Sequence, residues 1–199
     1  LQMGEIKRKT TFRYLYRRMM NSLGVDAIKD VFEKAEEQYK SKELREKIYE
    51  WASENSDVAD VLFKLFILES GKNISAWKWL TGENLSNQEL NALNLKANLL
   101  DVNDYIQVLK IMGRIFWEIK HVKLLFFIDE SEALKQCKDE DSIAGWEHAL
   151  RLLFDQENEH VGVIFAISVR TMEEEDMPEP FTFSSVQTRI SPSGNIELR

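Results

Sequence analysis

Two apolar runs in the carboxyl-terminal half limit what this chain can fold into. The first, Val122-Lys123-Leu124-Leu125-Phe126-Phe127-Ile128, is β-branched and aromatic and stops at Asp129-Glu130. The second, Val161-Gly162-Val163-Ile164-Phe165-Ala166-Ile167-Ser168, has the same character. Runs of this length without polar alternation describe strands buried on both faces, and such strands belong to parallel sheets. Between them, Ile143 to Gln156 carries a helical pattern. Strand, helix, strand is a βαβ unit with a right-handed crossover, and the fold class that follows is α/β.

Ahead of these runs the hydrophobic period is helical. Phe12, Leu15, Tyr16, Met19 and Leu23 share one face of a helix that Gly24 closes, with the arginines on other faces. Further helices are expected from Val25 to Gln38 and from Ser41 to Ala52, and Ser56-Asp57 opens an apolar segment, Val58 to Leu68, that ends at Gly71. Ser70-Gly71-Lys72-Asn73 reads as a turn, and Ala76 to Glu83 as a short helix stopped by glycine. Ser86 with Glu89 three residues on is a capping box for a brief helix, Asn87 to Leu93. Asp101 or Asn103 caps a long one, Tyr105 to Ile119. The tail from Ser184 reads as a short helix or turn through Arg189, a Pro-Gly turn over Ser191 to Gly194, and a last strand over Asn195 to Leu198. One domain over 1–199 is expected, mainly helical at 11–120 and carrying its core strands at 121–199.

Composition removes several classes of function. At 199 residues, with 44 % hydrophobic and 30 % charged residues, a globular domain with a sizeable core is expected. The net charge of −8 argues against a dedicated nucleic-acid binder, although Lys7, Arg8, Lys9, Arg13, Arg17 and Arg18 cluster near the start. A single cysteine excludes an internal disulfide framework, no Cys/His spacing suits structural zinc, and His121, His148 and His160 share no common spacing. Cys137 sits in a polar stretch without a neighbouring base, so a catalytic thiol is not expected. A reducing, cytoplasmic setting follows. The run ending at Ile128 is far too short to span a bilayer and no secretory signal is present, so no membrane partner is expected.

Asp129-Glu130 carries the strongest chemical signal. It puts two carboxylates at the carboxyl end of a buried parallel strand, where open α/β sheets bind ligands. In a nucleoside triphosphatase the first acid holds hydrated Mg²⁺ near the β/γ phosphates and the second orients the attacking water. Because successive side chains face opposite ways, adjacent acids can do different work. Acids also end many strands simply because the chain has reached solvent, and that reading stands beside the first.

The chain resembles the P-loop ATPases of the AAA+ type, closest to the origin-recognition-like and BREX-type phage-defence ATPases, and the resemblance keeps a fixed order. Thr11-Phe12-Arg13-Tyr14-Leu15-Tyr16-Arg17-Arg18-Met19-Met20 is similar to the helix after their second core strand, and Trp79-Leu80-Thr81-Gly82-Glu83 to an element of their helical insertion. Leu124 to Glu130 resembles Walker B, with Glu132 completing an Asp-Glu-x-Glu pattern. Val161 to Ser168 takes the place of the sensor-1 strand, and Ser185-Val186-Gln187-Thr188-Arg189 resembles the stretch with the arginine finger.

The resemblance implies part of a P-loop NTPase-like parallel sheet with a large helical insertion, and ATP and Mg²⁺ as cofactors. It implies that Asp129 holds metal and nucleotide, Glu130 activates water, and Ser168 senses the γ-phosphate. Arg189 is the implied finger, supplied across a homo-oligomer interface, with Arg170 the alternative finger or sensor. Conformational work on DNA or in a defence complex follows. Beside these roles, Ser168 also reads as a plain strand-end serine and Arg189 as a surface arginine. The basic face of Arg13, Arg17 and Arg18 reads as phosphate-contacting or as merely solvated, and Trp77 and Trp79 as core or partner-surface aromatics.

One departure is serious: the 199 residues contain no Gly-x-x-x-x-Gly-Lys-[Ser/Thr]. Gly71-Lys72 is followed by Asn73 and follows a helix, so it reads as a helix stop. In the family the phosphate loop lies upstream, Leu1-Gln2 then reads as the remnant of the second core strand, and a start at Leu rather than Met fits a piece of a longer protein. On its own the segment is not expected to bind ATP in the usual way. The alternative is a non-catalytic, P-loop-like regulatory or scaffold module whose helical insertion binds a protein partner. A third reading uses the basic amino-terminal helix on nucleic acid, and the net charge weighs against it.

Overall fold

Caps and glycines punctuate the helical middle of the chain. The computed structural model describes residues 2, 3, 7, 9–53, 55–67, 70–155, 159–168 and 177–188. Helices α1 (Phe12–Leu23) and α2 (Val25–Gln38) meet at Gly24, whose φ of 76° and ψ of 152° suit glycine alone. There follow α3 (Ser41–Trp51), α4 (Ser56–Ile67), α5 (Ser70–Leu80), α6 (Asn87–Ala92) and α7 (Val102–Lys120). The capping box at Ser86 and Glu89 is formed, and Asp101, not Asn103, caps α7 through a second box with Asp104.

The turn expected at Ser70-Gly71-Lys72-Asn73 is corrected: those residues open α5, so Gly71-Lys72 is no helix stop. First-turn amides have no intrahelical acceptor, so glycine costs little there, and the helical run that follows extends back through it.

Two compact units emerge. One is Tyr16–Leu124, all helical apart from connections; the other joins Leu1–Leu15 to Leu125–Arg199. In the helical unit α2 and α3 pack on α7, while α4 packs on α3 and α5. Ile28, Val31, Phe32, Leu44, Ile48 and Trp51 supply the buried stripes of α2 and α3, facing a long α7 that buries ten residues.

The second unit holds β1 (Leu124–Ile128) from its second residue on, a 3₁₀ helix (Ser131–Gln136), α8 (Glu140–Leu153), β2 (Val161–Phe165), α9 (Glu179–Thr182) and α10 (Ser184–Gln187). β1 and β2 form a two-stranded parallel sheet, so the βαβ reading holds and the class is α/β with a large helical content. Helix α8 starts earlier than Ile143 because the Asp139 carboxylate accepts the Ser142 amide at 3.2 Å and caps it. Trp146 of α8 is fully buried, donates its indole N–H to the Thr10 carbonyl at 2.8 Å and meets Phe12 edge-on at 5.5 Å. Phe165 of β2 packs against Phe154 and Phe181. The last strand expected at Asn195 to Leu198 lies outside the described residues.

Burial of the strands on both faces is also corrected. Leu124, Phe126 and Ile128 are buried, but Leu125 and Phe127 are 66 % and 53 % exposed, and Ile164 of β2 is 47 % exposed. In β1 burial alternates with the strand period of two, yet apolar residues fill both sets of positions, so hydrophobicity could not separate the faces. Among the described residues no helix is long and apolar enough to cross a membrane.

Candidate functional site

The site begins where the β1–β2 ladder ends. The Ala166 amide donates to the Ile128 carbonyl at 2.7 Å. In an uninterrupted parallel ladder the Glu130 amide would donate back to the Ala166 carbonyl. Instead the Ser131 amide does so, at 3.0 Å. One extra residue therefore sits in the strand exit: Glu130, in the left-handed region at φ 59°, ψ 33°. This is a one-residue bulge, a device that re-aims a side chain beside functional sites. The Glu130 amide, displaced from the ladder, donates to Asp129 Oδ1 at 2.8 Å. Ser131 anchors the bulge from below; it is fully buried, and its hydroxyl donates to the Ile128 carbonyl at 3.1 Å.

Asp129 is fixed from the other edge. Its carbonyl accepts the Met3 amide at 2.8 Å, and Gln2 makes an isolated parallel bridge to it. Successive carbonyls of a strand point to opposite edges, so Gln2 lies on the edge of β1 away from β2. Leu1, the other half of the expected strand remnant, lies outside the described residues. Both Asp129 and Glu130 keep exposed side chains at this carboxyl end of the sheet.

Ser168 lies three residues beyond β2, exposed, with its amide donating to Glu132 Oε2 at 3.1 Å. Asp129, Glu130 and Ser168 thus belong to one strand-end region, tied through Ser131 and Glu132. Arg170 and Arg189 lie outside the described residues. Sequence reasoning missed the buried Ser131 and any task for Glu132; the Asp-Glu-x-Glu spacing was the available signal for the latter.

Mg²⁺ is usually held by one or two carboxylates together with water and phosphate oxygens. Two adjacent exposed acids on a pinned strand end fit that pattern. A cation cage made by the protein alone does not: among the described residues no group of three or more His, Cys, Asp or Glu side chains is placed to hold a metal ion. The residues present fit the metal side of a magnesium nucleotide, while a glycine-lysine phosphate cradle is absent from the sequence.

Other candidate groups fall to structural work. The Cys137 thiol is buried, lies 3.6 Å from the Thr10 carbonyl and is pushed up from its usual pKa by burial, the opposite of an activated thiolate. Trp79 is buried, and its indole N–H donates to the Ala97 carbonyl at 3.0 Å. Arg17 pairs with Glu83 at 3.3 Å. Compared with known proteins, the chain matches no family model, no curated protein sequence and no solved structure.

Proposed function

We propose that the chain is the acid-bearing part of an AAA+ type P-loop ATPase, in which hydrolysis of ATP drives conformational work. One observation carries the reading: consecutive exposed carboxylates at the carboxyl end of a parallel strand, the second thrown out of the ladder by a bulge. Asp129 is the residue that would hold Mg²⁺, an ion that neutralises phosphate charge when bound. Glu130, held off the strand, accepts the proton of an attacking water or orients it. Ser168, at the exit of the neighbouring strand, is the candidate contact to the terminal phosphate. An arginine from another copy, Arg189 first and Arg170 second, offsets charge in the transition state. The resemblance supports homo-oligomeric action on DNA or in a phage-defence complex.

The test is turnover of Mg-ATP by the full-length gene product and its Glu130→Gln variant. The variant is expected to keep Mg-dependent ATP binding while turnover falls on the order of a hundredfold, the low end for loss of a positioned base. Unchanged turnover overturns the assignment of Glu130. No saturable Mg-ATP binding by the wild type overturns the ATPase reading and leaves the partner-binding module.

A further inference from the structure

Three acids fall within four residues at the end of β1, but they are not equivalent. Asp129 and Glu130 are exposed, whereas Glu132 is half-buried and already engaged: its Oε2 accepts the Ser168 amide at 3.1 Å. The backbone ladder between the strands ends at Ala166, whose carbonyl takes the Ser131 amide. Ser168 is two residues further out, past the last ladder bond among the described residues. A carboxylate on a backbone amide is a charge-assisted bond, stronger than the neutral ladder bonds it extends. Glu132 can reach across because the 3₁₀ turn starting at Ser131 follows directly on the bulge.

We propose that Glu132 is a positioning residue, a strap that holds the exit of β2, and with it Ser168, beside the Asp129–Glu130 pair. The cation and the water fall to the exposed Asp129 and Glu130, while Glu132 keeps its Oε2 on the neighbouring strand. The strap is a property of the fold; its part in turnover rests on the ATPase reading above. The role demands an acceptor at this position and not a charge, so glutamine, whose side-chain carbonyl reaches the same place, substitutes for glutamate. Alanine does not.

The experiment pairs two readouts on full-length wild type, Glu132→Ala and Glu132→Gln. Amide hydrogen exchange is followed at Ser168, with the Ala166 amide as an internal control for an intact ladder. Exchange at Ser168 is expected to speed up about tenfold in the alanine variant and to return near the wild-type rate in the glutamine variant, with Ala166 unchanged in both. Equal Ser168 exchange in wild type and Glu132→Ala, with Ala166 still protected, overturns the strap. Steady-state kinetics with Mg-ATP then reads its consequence: kcat falls in Glu132→Ala at unchanged KM and recovers in Glu132→Gln. A kcat lost equally in both variants overturns positioning in favour of a direct role for the charge. A wild type without turnover overturns the ATPase reading and Glu132's part in it, while the exchange readout still decides the strap.

Discussion

The joint between α1 and the end of α5 and the exit of β1 were both picked out by short sequence patterns, and they are built in opposite ways. In the joint, each polar group has an internal use. The Tyr16 hydroxyl donates to the Leu80 carbonyl in the core, burial holds the Tyr16 phenol well above its ordinary pKa, and its ring stacks on Tyr105 at 4.6 Å. Thr81 is buried with its hydroxyl on the Lys78 carbonyl at 2.9 Å, and Gly82 turns at φ 75° with the Tyr16 and Tyr105 rings close against it. At the β1 exit, by contrast, the two leading acids face solvent and one backbone position is strained. Strain and exposed charge persist where the surroundings hold them for another purpose. The joint has the physics of a structural element, and the strand end is the candidate site.

Substitutions can break this contrast, the largest effect first. A Cβ at Gly82 would lie 3.2 Å from the Tyr16 ring in a backbone region closed to branched residues. Gly82→Val is therefore expected to destabilise the helical unit by about 3 kcal/mol, read as a lowered urea midpoint. A change under the noise of that measurement would mean the joint is loose. Tyr16→Phe strands the buried Leu80 carbonyl and should cost about 1.5 kcal/mol in the same assay. Glu130→Gly is the sharpest comparison, because it should raise stability by about 1 kcal/mol through relief of the left-handed strain while, on the proposed ATPase reading, removing turnover. A loss of stability instead would show that the bulge is not strained. Smallest is Glu83→Gln, which breaks an ion pair to Arg17 whose side chains are 43 % and 40 % exposed; it should stay within about 0.5 kcal/mol.

The same contrast explains what the sequence made legible. Helix ends marked by side-chain or glycine chemistry were read to within a residue or so at Gly24 and at the box of Ser86, whereas α7, expected from Tyr105 with Asp101 or Asn103 as its cap, starts three residues earlier behind Asp101. Ser70 to Asn73 misled because glycine and asparagine signal turns locally, whereas helix propagation from the following residues decides the matter. One-sided burial of β1 was hidden because Leu125 and Phe127 are as apolar as their buried neighbours. The acid pair itself was plain, since charge ending an apolar run is a strong contrast. Its bulge was not: nothing in Asp-Glu-Ser announces a left-handed residue as Gly or Asn would. Nor does spacing alone tell that Glu132 reaches Ser168, a contact between residues thirty-six apart in the chain.

The measurement that bears most directly on the account is calorimetric titration of ATP into the full-length gene product and its Asp129→Asn variant, with and without Mg²⁺, alongside urea unfolding of both. The account predicts saturable, Mg-dependent binding in the wild type that is lost in the variant, with the two urea midpoints the same. Binding that ignores Mg²⁺ or survives Asp129→Asn, or no binding at all, would contradict it and leave the exposed acids as nothing more than the place where a strand meets water.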